Sequence, residues 1–186
     1  VALLFCGLIY KFIKLGNSNL LQVIGSIFSM IYEPYTLHIS EYDTRFSFQS
    51  IGKKGTVEKV IYFSPNEEGM FNLGLVDVDP ITGTESDESI TNNGDLPAVM
   101  ATVVTAMLLF LETYPDDMIY FKGNCEGREK LYQIQTNIFY PALQEKLTVL
   151  GEVNCYWYDF EANIPFENFI VARKELNLKY KMQKRK

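Results

Sequence analysis

The stretch that most constrains this chain runs from Asn92 to Tyr132: NNGDLPAVMATVVTAMLLFLETYP followed by MIYFKGNCEGREKLY. Asn93-Gly94 is turn-forming because both residues tolerate positive φ, and Asp95 is a good N-cap. Pro97 falls in the first helical turn, where a missing N–H costs nothing. Leu96, Val99, Met100, Val103, Val104, Met107, Leu108 and Leu111 then recur at helical spacing, which predicts a helix with one apolar face. Tyr114-Pro115 and Asp116-Asp117 end it. Met118–Phe121 is a short unbroken apolar run, as expected of a strand covered on both faces.

Leaving that strand, Lys122, Gly123, Asn124, Gly127 and Arg128 cluster at the start of a second helix. Unpaired N–H groups and the dipole favour anions at such a place, and Arg128 adds a planar donor fork suited to phosphate or carboxylate. The spacing matches neither a P-loop nor a dinucleotide fingerprint. The competing expectation is structural: Arg128 pairs with an acid such as Glu112 or Asp117 while the glycines turn the chain. Cys125 sits in the same loop, where a thiolate could be stabilised. Glu126 and Lys130 form an i,i+4 pair in the favourable order.

Upstream, the period is two. Tyr35, Leu37 and Ile39 alternate with Thr36, His38 and Ser40, and Phe46 and Phe48 with Arg45, Ser47 and Gln49. Gly52-Lys53-Lys54-Gly55 turns the chain into Thr56–Phe63, and Phe71, Leu73 and Leu75 follow in a fourth strand, predicting an antiparallel meander. Asp77, Asp79, Glu85, Asp87 and Glu88 follow. They lack EF-hand spacing and read as a solvated acidic hairpin rather than a metal site. Downstream, Leu131, Ile134 and Ile138 form an apolar stripe predicted to be buried, and Pro141 breaks or restarts the helix. A short helix to Leu150 closes on Gly151. Val153, Cys155 and Trp157 alternate in a strand, Phe169–Val171 form a last one, and Tyr156, Trp157 and Tyr158 give an aromatic surface.

The chain of 186 residues is long enough for one good core. Its net charge of −6 is uneven: residues 30–172 carry −14, against +2 over 1–29 and +6 over 173–186. An acidic body disfavours nucleic acid and anionic membranes, and a short basic tail from 175 to 186 reads as a solvated end. Three cysteines without a CxxC fit a reducing, cytoplasmic setting, and the lone His38 has no second imidazole with which to share zinc. Residues 1–29 hold two apolar runs, each short of the roughly 20 residues needed to span a bilayer. Met30 stands where the soluble pattern begins, so translation from there is the expectation, and a membrane becomes a partner only if 1–29 are native. No cofactor is implied.

ITNNGDLPAVMATVVTAMLLFLETYP, MIYFKGNCEGREKLYQI and ENFIVARK together resemble an uncharacterised bacterial domain family, from about Tyr35 to Lys174. The resemblance marks Asn93, Gly94, Asp95, Thr102, Lys122, Gly123, Arg128 and Tyr132 as recurring polar positions and implies no function. The order of elements also resembles, more weakly, the C-terminal half of acyl-CoA-dependent N-acetyltransferases. Leu131-Tyr132 stands where those enzymes carry a Leu-Tyr pair, implying Tyr132 as general acid. Their Gly-rich pyrophosphate turn is here Thr91-Asn92-Asn93-Gly94-Asp95, with one glycine and an aspartate that would repel phosphate. The expected fold is therefore one α+β domain over 30–174, a mostly antiparallel sheet with two main helices. The expected function is a non-enzymatic interaction or regulatory protein with a protein partner, binding a small anion at Lys122, Gly123, Asn124, Arg128 and Tyr132. A divergent acyltransferase is the alternative.

Overall fold

Inward aromatic residues set the first half of the sheet. In the computed structural model, which describes residues 32–40, 43–87, 91–123 and 125–176, Phe46, Phe48 and Ser50 point into the core from β2 (Arg45–Gly52). The alternation is that of a strand with one buried face. A two-residue turn at Lys53-Lys54 leads into β3 (Gly55–Pro65), with Gly55 at φ 92°. Such a short connection joins antiparallel neighbours. Strand β1 (His38–Ile39) pairs antiparallel with β2 on its other side, and β4 (Phe71–Val78) follows β3. At the β3–β4 turn, Asn66 Oδ1 accepts the Met70 N–H at 2.9 Å and the Glu68 N–H at 3.1 Å. A two-residue β5 (Glu85–Ser86) folds back on β4. The expected meander is present.

Helix α1 (Leu96–Thr113) then crosses over to β6 (Met118–Lys122), which runs parallel to β4. Parallel neighbours need a crossover of this kind. The helix departs from the one-faced stripe expected of it. Every residue from Val99 to Leu111 is buried, while Leu96 is 42% exposed. The reason is in its composition: Ala101, Ala106, Leu109 and Phe110 fill the positions a surface helix would give to charge, and a helix apolar all round belongs inside. Its two buried hydroxyls are satisfied within the helix, Thr102 Oγ1 donating to Ala98 O at 2.7 Å and Thr105 Oγ1 to Ala101 O at 2.9 Å. Among the described residues α1 alone is long and apolar enough to cross a membrane, and 72% of that window is buried within the protein, as a core helix would be.

The C-terminal part holds α2 (Glu126–Leu143), β7 (Leu147–Val153), β8 (Tyr156–Asp159) and β9 (Asn168–Arg173). The sheet order is β1-β2-β3-β4-β6-β9-β7-β8, with β5 beside β4, so the fold of the described residues is α+β with a mostly antiparallel open sheet and two helices. Contacts gather in two units. Among the described residues, one comprises those up to Ile61 with Leu75–Ala106, the other Tyr62–Gly74 with those from Met107. In the second unit, Phe121, Phe160, Phe166 and Phe169 form an aromatic layer on which α2 sets Tyr132 and Tyr140. On the alternate positions, Met118, Leu150, Ile170 and Ala172 pack with Met70, and Tyr120, Trp157 and Leu176 pack against that cluster.

Four expectations for this part are corrected. Residues 147–150 are strand, not helix, because β9 supplies a six-residue ladder from Leu147↔Arg173 to Glu152↔Asn168. Gly151 therefore lies inside a strand, where an added Cβ would stand 2.2 Å from the Phe166 ring. Cys155 is in a turn: Asn154 and Cys155 take φ 52° and 64°, the two positive values of a type I′ hairpin, between the paired strands β7 and β8. Helix α2 continues through Pro141 to Leu143. Its buried residues are Phe139 and Leu143, while Ile134 and Ile138 are 54% and 43% exposed.

The apolar runs before Met30, Glu88 and residues 177–186 of the basic tail lie outside the described residues, as does Asn124.

Candidate functional site

The polar positions singled out by sequence fall into two constellations, each within one unit. The first is built on the turn that starts α1. Asn93 is 1% exposed. Its Nδ2 donates to Ser50 Oγ at 3.0 Å and to Gly55 O at 3.1 Å, and its Oδ1 accepts the Lys54 N–H at 2.8 Å. Its carbonyl accepts the Lys53 N–H at 2.8 Å. One side chain thus clamps both sides of the β2–β3 turn to the helix start. Gly52 permits this approach, since a Cβ there would lie 2.1 Å from Asn93 O.

Asp95 begins the helix, its carbonyl accepting the Val99 N–H at 3.1 Å. Its carboxylate turns to the sheet: Oδ2 accepts Ser50 Oγ–H at 2.6 Å and the Tyr35 hydroxyl at 2.8 Å. Tyr35 stacks on Phe48 at 5.7 Å, and its backbone N–H donates to Thr102 Oγ1 at 2.8 Å. Burial pushes the Tyr35 phenol up and the Asp95 carboxylate adds to the rise, while the backbone bond with Ile51 offsets part of it. Asn93, Asp95 and Thr102 are therefore joined through Tyr35 and Ser50, neither of which sequence reasoning singled out. Ser50 carried a readable signal, being a polar residue on the inward period of β2.

In the acidic stretch beside this constellation, Asp79, Glu85 and Asp87 are exposed, as a solvated hairpin would have them, and among its described carboxylates Asp77 alone is buried. Asp77 is 8% exposed and holds Lys59, itself 6% exposed, in a buried ion pair; Thr91 Oγ1 donates to the other carboxylate oxygen. Asp79 Oδ1 accepts the N–H groups of Thr82 at 2.8 Å and Ile81 at 2.9 Å. These bonds, that of Thr82 foremost, hold its carboxyl below the usual range. Glu85 pairs with Arg45. Lys59 was also missed, although it shares the inward period of β3 with Ile61 and Phe63.

The second constellation is the β6–α2 loop. Lys122 is exposed at the end of β6. Gly123 is buried, and a Cβ on it would stand 2.3 Å from the Glu129 nitrogen, so the loop packs directly on the first turn of α2. Cys125 is the N-cap; it is exposed and its side chain makes no cap bond, while its carbonyl accepts the N–H groups of Arg128 and Glu129 at 3.0 Å each. Arg128 is half-buried and has no ion pair among the described residues. Of the acids expected to neutralise it, Glu112 lies 3.7 Å from Arg173 instead. Glu126 and Glu129 occupy the same first turn, with Glu126 bound to Lys130 at 2.6 Å. Tyr132 meets Phe121 edge-on at 5.6 Å. Burial raises its phenol pKa, the Arg128 charge opposes that rise, and Tyr62 and Cys125 add to it. Lys122, Gly123, Arg128 and Tyr132 thus share one end of α2.

No curated protein and no solved structure matched the chain, and the likeness to acetyltransferase topology is not confirmed. The model of a family of unknown function, DUF6934, matches residues 31–174. This chain, with its Asn-Gly-Asp helix start clamped to the β2–β3 turn, belongs to that family.

Proposed function

We propose that this chain is a non-catalytic interaction or regulatory protein of the cytoplasm, with a small-anion site at Lys122 and Arg128. The observation that carries the reading is the use made of Asn93 and Asp95. These two recurring polar positions of the helix start spend their donors and acceptors on Ser50, Lys54, Gly55 and Tyr35. A catalytic group needs a free atom aimed at a reacting one, and these are committed to holding a turn against a helix. The anion site is supported by a half-buried guanidinium without an ion pair among the described residues, beside a helix N-terminus with no side-chain cap.

The test is a thermal-shift series with inorganic phosphate, nucleotides and coenzyme A derivatives on the full chain and on Arg128→Ala. A ligand that binds only the folded state raises the melting temperature with its concentration. Phosphate is expected to raise it by several degrees in the parent and not in the variant. Absence of any shift removes the anion site. Acetyl transfer from acetyl-CoA to an amine, lost in Tyr132→Phe, would overturn the non-catalytic reading in favour of the acyltransferase.

A further inference from the structure

Tyr120 of β6 and Trp157 of β8 meet across the two strands between them, β9 and β7. Their ring centroids are 6.3 Å apart and their planes stand at 71°, so the rings form a corner. Both pack on the cluster of Met118, Leu150, Ile170 and Ala172 and both remain half-buried. Strand register puts Glu152 in one row with Trp157 and Asn168, and Asn168 Nδ2 donates to Glu152 Oε2. Tyr120 occupies the next row, beside Ile170 and Leu150. Glu68 supplies a second carboxylate from the β3–β4 turn, where it is exposed. Burial raises the Tyr120 phenol, and the charges of Glu152 and then Glu68 add to the rise, which places both acids near that hydroxyl. All of these residues belong to the second unit.

An edge-on aromatic pair by itself is ordinary packing. This one carries two carboxylates that have no ion pair among the described residues. The Asn168 amide is a neutral partner and leaves the Glu152 charge uncompensated; Lys122, opposite Asn168 on β6, pairs with neither acid. Ring faces attract a cation through their quadrupole, and the carboxylates add full charge. An anion is repelled by the same groups, and an apolar ligand makes no use of the acids. We propose that Tyr120, Trp157, Glu152 and Glu68 form a binding site for an alkylammonium group, its methyl or methylene surface on the rings and its charge toward the acids. The −14 charge of residues 30–172 draws cations to the same body. Two sources carry this chemistry: a free amine or quaternary ammonium ligand, and a lysine of this chain. Leu176 packs against the same cluster, and Lys179 and Lys181 follow it in sequence. The site is independent of the anion site at Lys122 and Arg128, being of opposite charge preference.

Trp157 is the only tryptophan in the chain, so intrinsic fluorescence reports on this corner alone. The test titrates tetramethylammonium chloride into the full chain and into Lys179→Gln with Lys181→Gln, at constant ionic strength held with sodium chloride. A saturable change in Trp157 emission is expected, in the ~millimolar range for a ligand of so few atoms. tert-Butanol, of the same shape without charge, is expected to give none. Glu152→Gln, which keeps an acceptor for Asn168, should weaken the response at least fivefold, and Glu68→Gln, an exposed change, should weaken it less. Tyr120→Phe should retain it and Tyr120→Leu should lose it. A response in the parent assigns the site to a free ligand; a response only after the lysines are neutralised assigns it to the chain's own lysine. No saturable response in either chain overturns the proposal. So does an equal response to tert-butanol, or one indifferent to Glu152→Gln and Glu68→Gln together. Arg128→Ala should leave the titration unchanged, so loss of the phosphate shift and loss of this response are separate results.

Discussion

Replacing Asn93 with alanine tests whether the turn clamp is as important as its geometry implies. The substitution deletes two donated bonds, to Ser50 Oγ and Gly55 O, and the acceptor of the Lys54 N–H. A net hydrogen bond contributes about 1 kcal/mol, and a buried group left without a partner adds to the loss, so a deficit of about 3–4 kcal/mol is expected. For a chain of this size each kcal/mol moves the melting temperature by about 2–4 °C, giving a fall of about 6–16 °C. Urea unfolding followed by far-UV circular dichroism measures the deficit directly. The control is Asn92→Ala, one residue away and exposed, which is expected to change stability by less than about 0.5 kcal/mol. A loss at Asn93 no larger than at Asn92 would refute the clamp, and with it the argument that the motif is consumed by the fold.

Lys59→Met leaves the Asp77 carboxylate buried without its cation and is expected to cost about 3–5 kcal/mol in urea unfolding. Adding Asp77→Asn should recover part of this, because a neutral amide still accepts from Thr91; no recovery would mean that the pair is not the cause. Gly151→Ala should destabilise by about 1–3 kcal/mol through its collision with Phe166, and an unchanged urea midpoint would place that ring elsewhere. The Tyr132 phenol is raised by burial, so the folded state holds a proton that the unfolded state releases near pH ~10. Its contribution is full below that pH and is lost as pH rises through the folded value, and Tyr132→Phe should blunt the alkaline fall in urea midpoint. Asp79 is depressed, so its contribution is present above the ordinary carboxylate range and disappears as pH falls through the folded value. Asp79→Asn should flatten that acid limb, and an unchanged limb would assign the loss to other carboxylates.

Local pattern was a good guide where local chemistry decides. The alternation of Phe46 and Phe48 and the Asn-Gly-Asp start of α1 are dictated by neighbours within a few residues, and both stand as expected. The partners of that start do not announce themselves: Ser50 and Tyr35 bond Asp95 from 45 and 60 positions away. The Lys122–Arg128 loop was legible as a charged helix start, but local pattern could not show that, among the described residues, Arg128 has no ion pair and Glu112 lies by Arg173 instead. Helix α2 misled because it offers two stripes. Aliphatic spacing favoured Leu131, Ile134 and Ile138, whereas the sheet beneath is aromatic and takes Tyr132, Phe139, Tyr140 and Leu143. The segment after Pro141 misled differently. Proline and Gly151 both carry helix punctuation, but the ladder with β9, some 20 residues later, outweighs them.

That ladder also bears on how the protein is made. Strand β9 is made after both of its neighbours, yet it lies between β6 and β7, pairing with each over five and six residues. Until it emerges, the β7–β8 hairpin has no neighbour to dock on and β6 exposes an open edge on that side. The C-terminal half of the sheet is therefore completed only once β9 has emerged, with a window in which two complementary strand edges are held apart by a missing wedge. A chaperone that shields aliphatic edges would act in that window, and a nascent chain stalled before Asn168 would be aggregation-prone in a way the finished protein is not.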